Sequence, residues 1–102
     1  MKTTTSQLLQ MIPVGREHPV SREALAILCG TDDRATRRLI EQARNAGALI
    51  LNDQDGRGYY QADIRDLDAL QRQYKQDTAR AMALLKRRKH IRRILKEAGR
   101  PV

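Results

Sequence analysis

The first apolar pattern along the chain is that of a short amphipathic helix. Leu8, Leu9 and Ile12 recur at helical spacing, so residues 3–14 are predicted to form a first helix with these side chains inward. Pro13 should end that helix, because its ring blocks the helical hydrogen-bond ladder.

Two further helices are predicted on either side of a tight turn at Gly30. The first of them begins after Ser21, whose hydroxyl is a favourable N-cap. Its inward residues are predicted to be Leu25, Ala26 and Leu28. Gly30 suits the turn because glycine adopts a left-handed backbone without steric penalty. Thr31 is predicted to cap the next helix.

The helix after Gly30 divides into an apolar face and a cationic face, and Gly47 is expected to end it. Its inward residues are predicted to be Ala35, Leu39, Ile40 and Ala43. Its outward residues are predicted to be Arg34, Arg37, Arg38, Glu41 and Arg44.

A hairpin of two short strands is predicted to follow, with the strands at residues 48–51 and 58–61. Between them, Asp55-Gly56 predicts a tight turn of the primed type, in which both central residues adopt positive φ. Tyr59 and Tyr60 should point to opposite faces of the second strand, one to the core and one to the edge. Val20 is compatible with a further short strand.

The sequence LAILCGTDDRATRRLIEQARNAGALI, with Gly30 and Gly47 17 residues apart, and the hairpin GRGYY resemble a known family. They are similar to the winged helix-turn-helix domain at the N-terminus of biotin-repressor-type regulators and to small phage or prophage DNA-binding proteins. Thr31 and Thr36 depart from that pattern, which has apolar residues at both positions.

The fold expected from these patterns is α+β. Residues 1–62 are predicted to form a winged helix-turn-helix domain of three helices and a two- to three-stranded wing. The resemblance implies that residues 32–46 are a recognition helix for the major groove and residues 52–58 a wing on the DNA backbone.

Residues 63–98 contain neither proline nor glycine, which predicts one long helix followed by a short tail at 99–102. A helix of that length cannot pack entirely on the N-terminal domain, so part of it must meet a partner or solvent. Along this helix, a set of mostly apolar residues recurs at alternating steps of three and four positions, which predicts the seam of a coiled-coil homodimer. The seam consists of Leu67, Leu70, Tyr74, Asp77, Ala81, Leu84, Arg88, Ile91 and Leu95. An amphipathic helix lying on its own domain is the alternative.

The net charge of +8 is concentrated near the C-terminus. Residues 86–100 hold eight cations and one acid, which gives +7, whereas residues 31–60 hold five arginines and five carboxylates and sum to zero. The basic stretch should therefore attract polyanions more strongly than the helix-turn-helix does. A DNA-backbone contact, a solvated face and an RNA-binding helix are all compatible with it. The backbone candidates are Lys86, Arg87, Lys89, Arg92 and Arg93.

Arginines are the candidates for reading DNA, since a guanidinium group binds guanine O6 and N7 bidentately. Arg34, Arg37 and Arg38 are the predicted base contacts. Arg44 is a predicted phosphate contact, and Arg57 is predicted to reach the backbone or the minor groove. Alternatively, one or two of these arginines pair with nearby carboxylates. With three tyrosines and no Phe or Trp, the chain lacks a stacking platform for single strands, which favours duplex DNA.

No catalytic set, cofactor motif or metal-ligand cluster is evident, so neither an enzyme nor a small-molecule substrate is expected. The single cysteine, Cys29, excludes an internal disulfide and should be buried at the helix bend. No stretch approaches the roughly 20 apolar residues of a membrane span. A cytoplasmic protein is expected.

The functional expectation is a bacterial or phage transcriptional regulator that binds double-stranded DNA as a homodimer. One alternative is a winged-helix protein-interaction module, such as a replication or packaging accessory. Another is RNA binding through the arginine-rich C-terminal helix.

Overall fold

The computed structural model describes residues 3–102, which contain four helices and a two-stranded antiparallel sheet. The helices are α1 (Thr5–Met11), α2 (Arg22–Cys29), α3 (Asp33–Asn45) and α4 (Leu67–Glu97), and the strands are β1 (Ile50–Asn52) and β2 (Tyr59–Gln61). The α+β class predicted from the sequence is therefore confirmed. The chain divides into two units, residues 1–70 and residues 71–102.

The core of the first unit lies among α1, α2, α3 and β1. It consists of Leu8, Ile12, Leu25, Cys29, Ile40, Ala43 and Ile50. The prediction for α2 is wrong at Leu28, whose side chain is 57% exposed, while Ala26 is half-buried. Cys29 fills the core instead, because it lies four residues after Leu25 and so on the same helix face. The predicted burial of Cys29 is confirmed.

Capping side chains fix the ends of the short helices. Thr4 and Gln7 form a reciprocal capping box at the start of α1, which is shorter than predicted. Ser21 caps α2 as predicted, and Gly30 ends it in the left-handed conformation with φ 64°. The predicted cap of α3 is wrong by one residue, since the Oδ1 atom of Asp32 accepts from the Ala35 amide at 2.7 Å.

Thr31 is not available for capping because its hydroxyl is engaged with Thr36. The two Oγ1 atoms lie 2.9 Å apart, and the fully buried Thr36 hydroxyl also donates to the Asp32 carbonyl at 2.8 Å. The two residues that depart from the winged-helix pattern are therefore hydrogen-bonded to each other. Thr36 occupies the centre of the inward face of α3, and Ala35 and Leu39 are only half-buried.

The predicted turn of the hairpin is wrong. Among the residues that the structure describes, only glycines have positive φ, so Asp55 does not adopt the primed-turn conformation. The loop is longer, closed by bonds from the Asp53 amide to the Gly58 carbonyl (2.7 Å) and from the Gly56 amide to the Asp53 carbonyl (3.0 Å). Asp53 accounts for the difference, because its carboxylate accepts from the Asp55 amide inside the loop at 3.1 Å.

β2 lies between β1 and two segments of the N-terminal loops. Val20 exchanges two backbone hydrogen bonds with Tyr59, of 2.9 and 2.7 Å, so its strand character is confirmed as an isolated bridge. The Gln61 side-chain amide donates to the Leu9 and Ile12 carbonyls at 2.8 Å each, which satisfies the end of α1. Tyr60 is buried and Tyr59 half-buried, as the alternation predicted.

α4 begins at Leu67 rather than near residue 63, because carboxylates hold a turn ahead of it. Asp63 accepts from the Arg65 amide at 2.7 Å, and Asp66 accepts from the Asp63 amide at 2.9 Å. The helix has 31 residues and none of them is buried. From residue 71 onward every residue except Gln73 is exposed. Most side chains of the helix are therefore exposed, as its length predicted.

Candidate nucleic-acid interface

Two of the predicted base-contact arginines are exposed and unpaired on the outward face of α3. Within residues 3–102, neither Arg34 nor Arg38 makes a hydrogen bond or an ion pair. At about 100° per residue they lie about 40° apart, on the side of the helix opposite the buried Thr36. Their guanidinium groups therefore point away from the core with all donors available.

Arg37 differs from them because it is paired, as one of the alternatives anticipated. Its Nε atom lies 3.2 Å from Asp33, and both side chains are more than half exposed. Asp33 also accepts from Arg22, which reaches across from α2. Hydrogen bonding to Tyr59, and then to Asp33, raises the pKa of Arg22. Two cations thus offset the charge of Asp33 at the start of α3.

The Arg44 side chain joins α3 to the hairpin through hydrogen bonds. Its Nε donates to the Ile50 carbonyl at 3.0 Å, while its two terminal nitrogens contact Glu41 at 2.8 Å and Asn52 at 3.2 Å. The guanidinium also lies over the Tyr59 ring, 5.9 Å from the centroid. Because these contacts use donors on all three nitrogens, Arg44 sets the position of α3 relative to β1 and β2.

Arg57 is held in the hairpin loop by Asp53. The Asp53 side chain is only 7% exposed and accepts from Arg57 Nε at 2.9 Å and, through its other oxygen, from Nη2 at 3.2 Å. The Arg57 guanidinium, helped by backbone amides of the loop, lowers the pKa of Asp53. Arg57 Nη2 also donates to the Arg16 carbonyl at 3.4 Å, but the side chain remains 53% exposed, so part of the guanidinium group is open to solvent.

The net charge of residues 31–60 is zero, but these pairings distribute the charge unevenly over the surface of the segment. Asp33, Glu41 and Asp53 are each paired with arginine, and Asp32 is used as the cap of α3. The unpaired charges on the outward face of α3 are the two guanidinium groups of Arg34 and Arg38. The outward face of α3 is therefore positive at Arg34 and Arg38, whereas the formal charges that balance them in the segment are those of Asp32 at the start of the helix and Asp55 in the hairpin loop.

In the second unit, most of the seven cations between residues 86 and 97 lie on one side of α4, called here the basic face. At about 100° per residue, six of them fall within an arc of about 160°. They are Lys86, Arg88, Lys89, Arg92, Arg93 and Lys96. Arg87 lies on the other side, among Leu84, Ile91 and Ile94. Four of the five predicted backbone contacts therefore share one face, and Arg87 does not.

Two residues at or beside the outward face of α3 were not among the predicted site residues. Gln42 is exposed one turn beyond Arg38 on the same side of α3, and helical periodicity alone was enough to find it. Arg22 orders Asp33, but its partner lies 11 residues away, and no sequence signal pairs them.

No protein-family model matches the chain, and no curated protein or solved structure is significantly similar to it. The resemblance to winged-helix regulators therefore stays a prediction. Within residues 3–102, no helix combines the length and hydropathy that a bilayer crossing requires.

Proposed function

We propose that the protein binds double-stranded DNA through a winged helix-turn-helix domain in residues 1–62, and that it acts as a bacterial or phage transcriptional regulator. α3 lies in the major groove and the loop of the hairpin contacts the backbone. The observation that carries this proposal is the pair of exposed, unpaired arginines, Arg34 and Arg38, on a helix whose other arginines are engaged.

The position of these arginines along α3 supports base contact. In helix-turn-helix proteins the N-terminal residues of the second helix face the base edges, and Arg34 and Arg38 lie in the first half of α3. Each can bind guanine O6 and N7 bidentately, and the Gln42 amide can bind adenine N6 and N7. The exposed Arg37–Asp33 pair is worth about 0–1 kcal/mol, so Arg37 can exchange it for a DNA partner.

Arg57 and the basic face of α4 are assigned to the DNA backbone. Arg57 presents an exposed edge from a loop that Asp53 holds in place, which suits a fixed phosphate contact. The cations of α4 provide the larger charge, and phosphate neutralisation by such cations supplies most non-specific affinity.

The test of specificity is selection from a random duplex library followed by substitution. On a selected site, Arg34→Ala and Arg38→Ala should each weaken binding by about 1–3 kcal/mol, with much less effect on random duplex. Arg80→Ala, an exposed arginine on α4, is the matched control and should affect both duplexes equally. If no motif is enriched, the regulator proposal fails.

The test of the basic face is the salt dependence of binding. Replacing Lys86, Lys89, Arg92 and Arg93 with glutamine should flatten the slope of log K against log salt by about 3–4, since each neutralised phosphate contributes about 0.9. The same measurement on duplex RNA separates the two nucleic acids. An unchanged slope would show that this face does not touch DNA.

A protein-interaction module is the second candidate, and one observation favours it. At the end of α2, Ile27 is 80% exposed and Leu28 57% exposed, although both are large apolar side chains. Adjacent exposed apolar residues of this kind are typical of protein interfaces. This candidate becomes the better one if library selection enriches no motif.

A further inference from the structure

The apolar seam of α4 has no cover within the described chain. Beyond residue 70 its large apolar side chains remain in solvent, with Tyr74 73% exposed, Leu84 55% and Ile91 55%. We propose that a second copy of the chain covers this seam, with the two α4 helices antiparallel and centred between Met82 and Ala83. This pairing goes beyond the proposed DNA binding and does not depend on it.

The two charged residues of the seam give the main argument, because neither forms an ion pair within residues 3–102, although Arg80 lies one turn after Asp77. Within the part of the chain that the structure describes, the Asp77 carboxylate accepts a hydrogen bond only from the neutral Gln73 side chain, at 2.9 Å. Arg88 makes no ion pair within residues 3–102. The residues three and four positions from Arg88 on either side are Leu84, Leu85, Ile91 and Arg92, so its own helix offers no acid.

Antiparallel pairing about the proposed centre brings these two charges together. It places Asp77 opposite Arg88 of the partner, and by symmetry it does so twice in each dimer. The adjacent layers pair Tyr74 with Ile91 and Ala81 with Leu84, so apolar side chains lie on both sides of each charged pair. Pairing that joins opposite charges also fixes the register, since a shift of one heptad separates them.

The charge distribution along α4 opposes the parallel arrangement. Residues 86–100 carry seven net positive charges, and a parallel pair would set the two cationic halves side by side. The parallel pair would also set Asp77 against Asp77 and Arg88 against Arg88. Antiparallel pairing instead lays each cationic half beside the partner's less charged residues near Tyr74, and the cations of the basic face other than Arg88 lie outside the seam.

Disulfide trapping of the full-length chain in a Cys29→Ala background tests the orientation. Tyr74 and Ile91 are the best positions because both are exposed, whereas Leu70 is half-buried in the first unit. When Tyr74→Cys and Ile91→Cys proteins are mixed and oxidised, the heterodimer should form rapidly and neither homodimer should. Gln76→Cys with Lys89→Cys, at the same level but on outer faces, is the matched control and should crosslink slowly.

A charge exchange provides a second test that does not require cysteine. Asp77→Arg should weaken the dimer by about tenfold or more, because it sets like charges in two layers. The double variant Asp77→Arg/Arg88→Asp should restore the dissociation constant, which sedimentation measures. A parallel pair would show no such rescue, because like faces like in every variant. Rapid crosslinking of position 74 to 74, or a monomeric mass at all concentrations, would overturn the proposal.

Discussion

Gly58 lies directly against the backbone of Val20 and Ser21, so a single added methyl group should strongly destabilise the hairpin there. A Cβ atom at this position would lie 2.7 Å from the Ser21 amide nitrogen and still closer to the Val20 carbonyl group. The backbone of Gly58 also has φ 137°, which residues with a side chain rarely adopt. Gly58→Ala must therefore move the hairpin away from Val20.

The size of the effect follows from the interactions that this movement breaks. Val20 and Tyr59 exchange two backbone hydrogen bonds, each worth about 0.5–1.5 kcal/mol, and the backbone strain adds about 1–3 kcal/mol. We expect Gly58→Ala to lower the free energy of unfolding by about 3–5 kcal/mol. A unit of this size is stable by roughly 0.05–0.15 kcal/mol per residue, so the loss is about a third of its stability or more.

The measurement is urea denaturation followed by tyrosine fluorescence, since Tyr59 and Tyr60 lie in the affected hairpin. Gly56→Ala is the matched control, because Gly56 also has positive φ (76°) but no atom lies within 4 Å of its added Cβ. The control should lose only about 1–2 kcal/mol from the left-handed backbone. If Gly58→Ala loses no more than Gly56→Ala, the close approach to Val20 is not a constraint on the fold.

Two further predictions concern buried polar groups. Because Arg57 keeps the pKa of Asp53 below its usual range, Asp53 stabilises the fold above about pH 3.9 and ceases to do so as the pH falls through the lowered pKa. Asp53→Asn should therefore lower the urea midpoint at pH 7 and lower it by less at pH 3, and an equal loss at both would contradict this pairing. Thr36→Val should cost about 1 kcal/mol, and Thr31→Val/Thr36→Val should cost less than the two single losses together by about 0.5–1 kcal/mol. Strict additivity in that double-mutant cycle would show that the two hydroxyl groups are not coupled.

The helices were predictable because their signals are local. Ser21, Gly30 and Pro13 act through their own backbone preferences, and periodicity alone located most of the buried residues of α1 and α3. The errors occur where a side chain binds a backbone group instead. Asp53 organised a longer loop than the Asp55-Gly56 signal predicted, and the carboxylates before α4 delayed its start. Such local hydrogen bonds compete with the turn or helix that propensity favours.

The sequence predicted which arginines form the candidate site, but not which of them pair with carboxylates inside the protein and which remain available to DNA. Residues 31–60 hold five arginines and five carboxylates, which permits many ion pairs. Sequence spacing does not identify the partner of an arginine when that partner is distant in the sequence. Arg22 reaches Asp33 from another helix, and Arg44 reaches Asn52 on β1, so only the packing of α2, α3 and the hairpin decides which guanidinium groups are used internally. Once those pairings are fixed, Arg34 and Arg38 are left on the outward face of α3. Their availability is thus a consequence of the fold, since each carboxylate near them is already satisfied by another group.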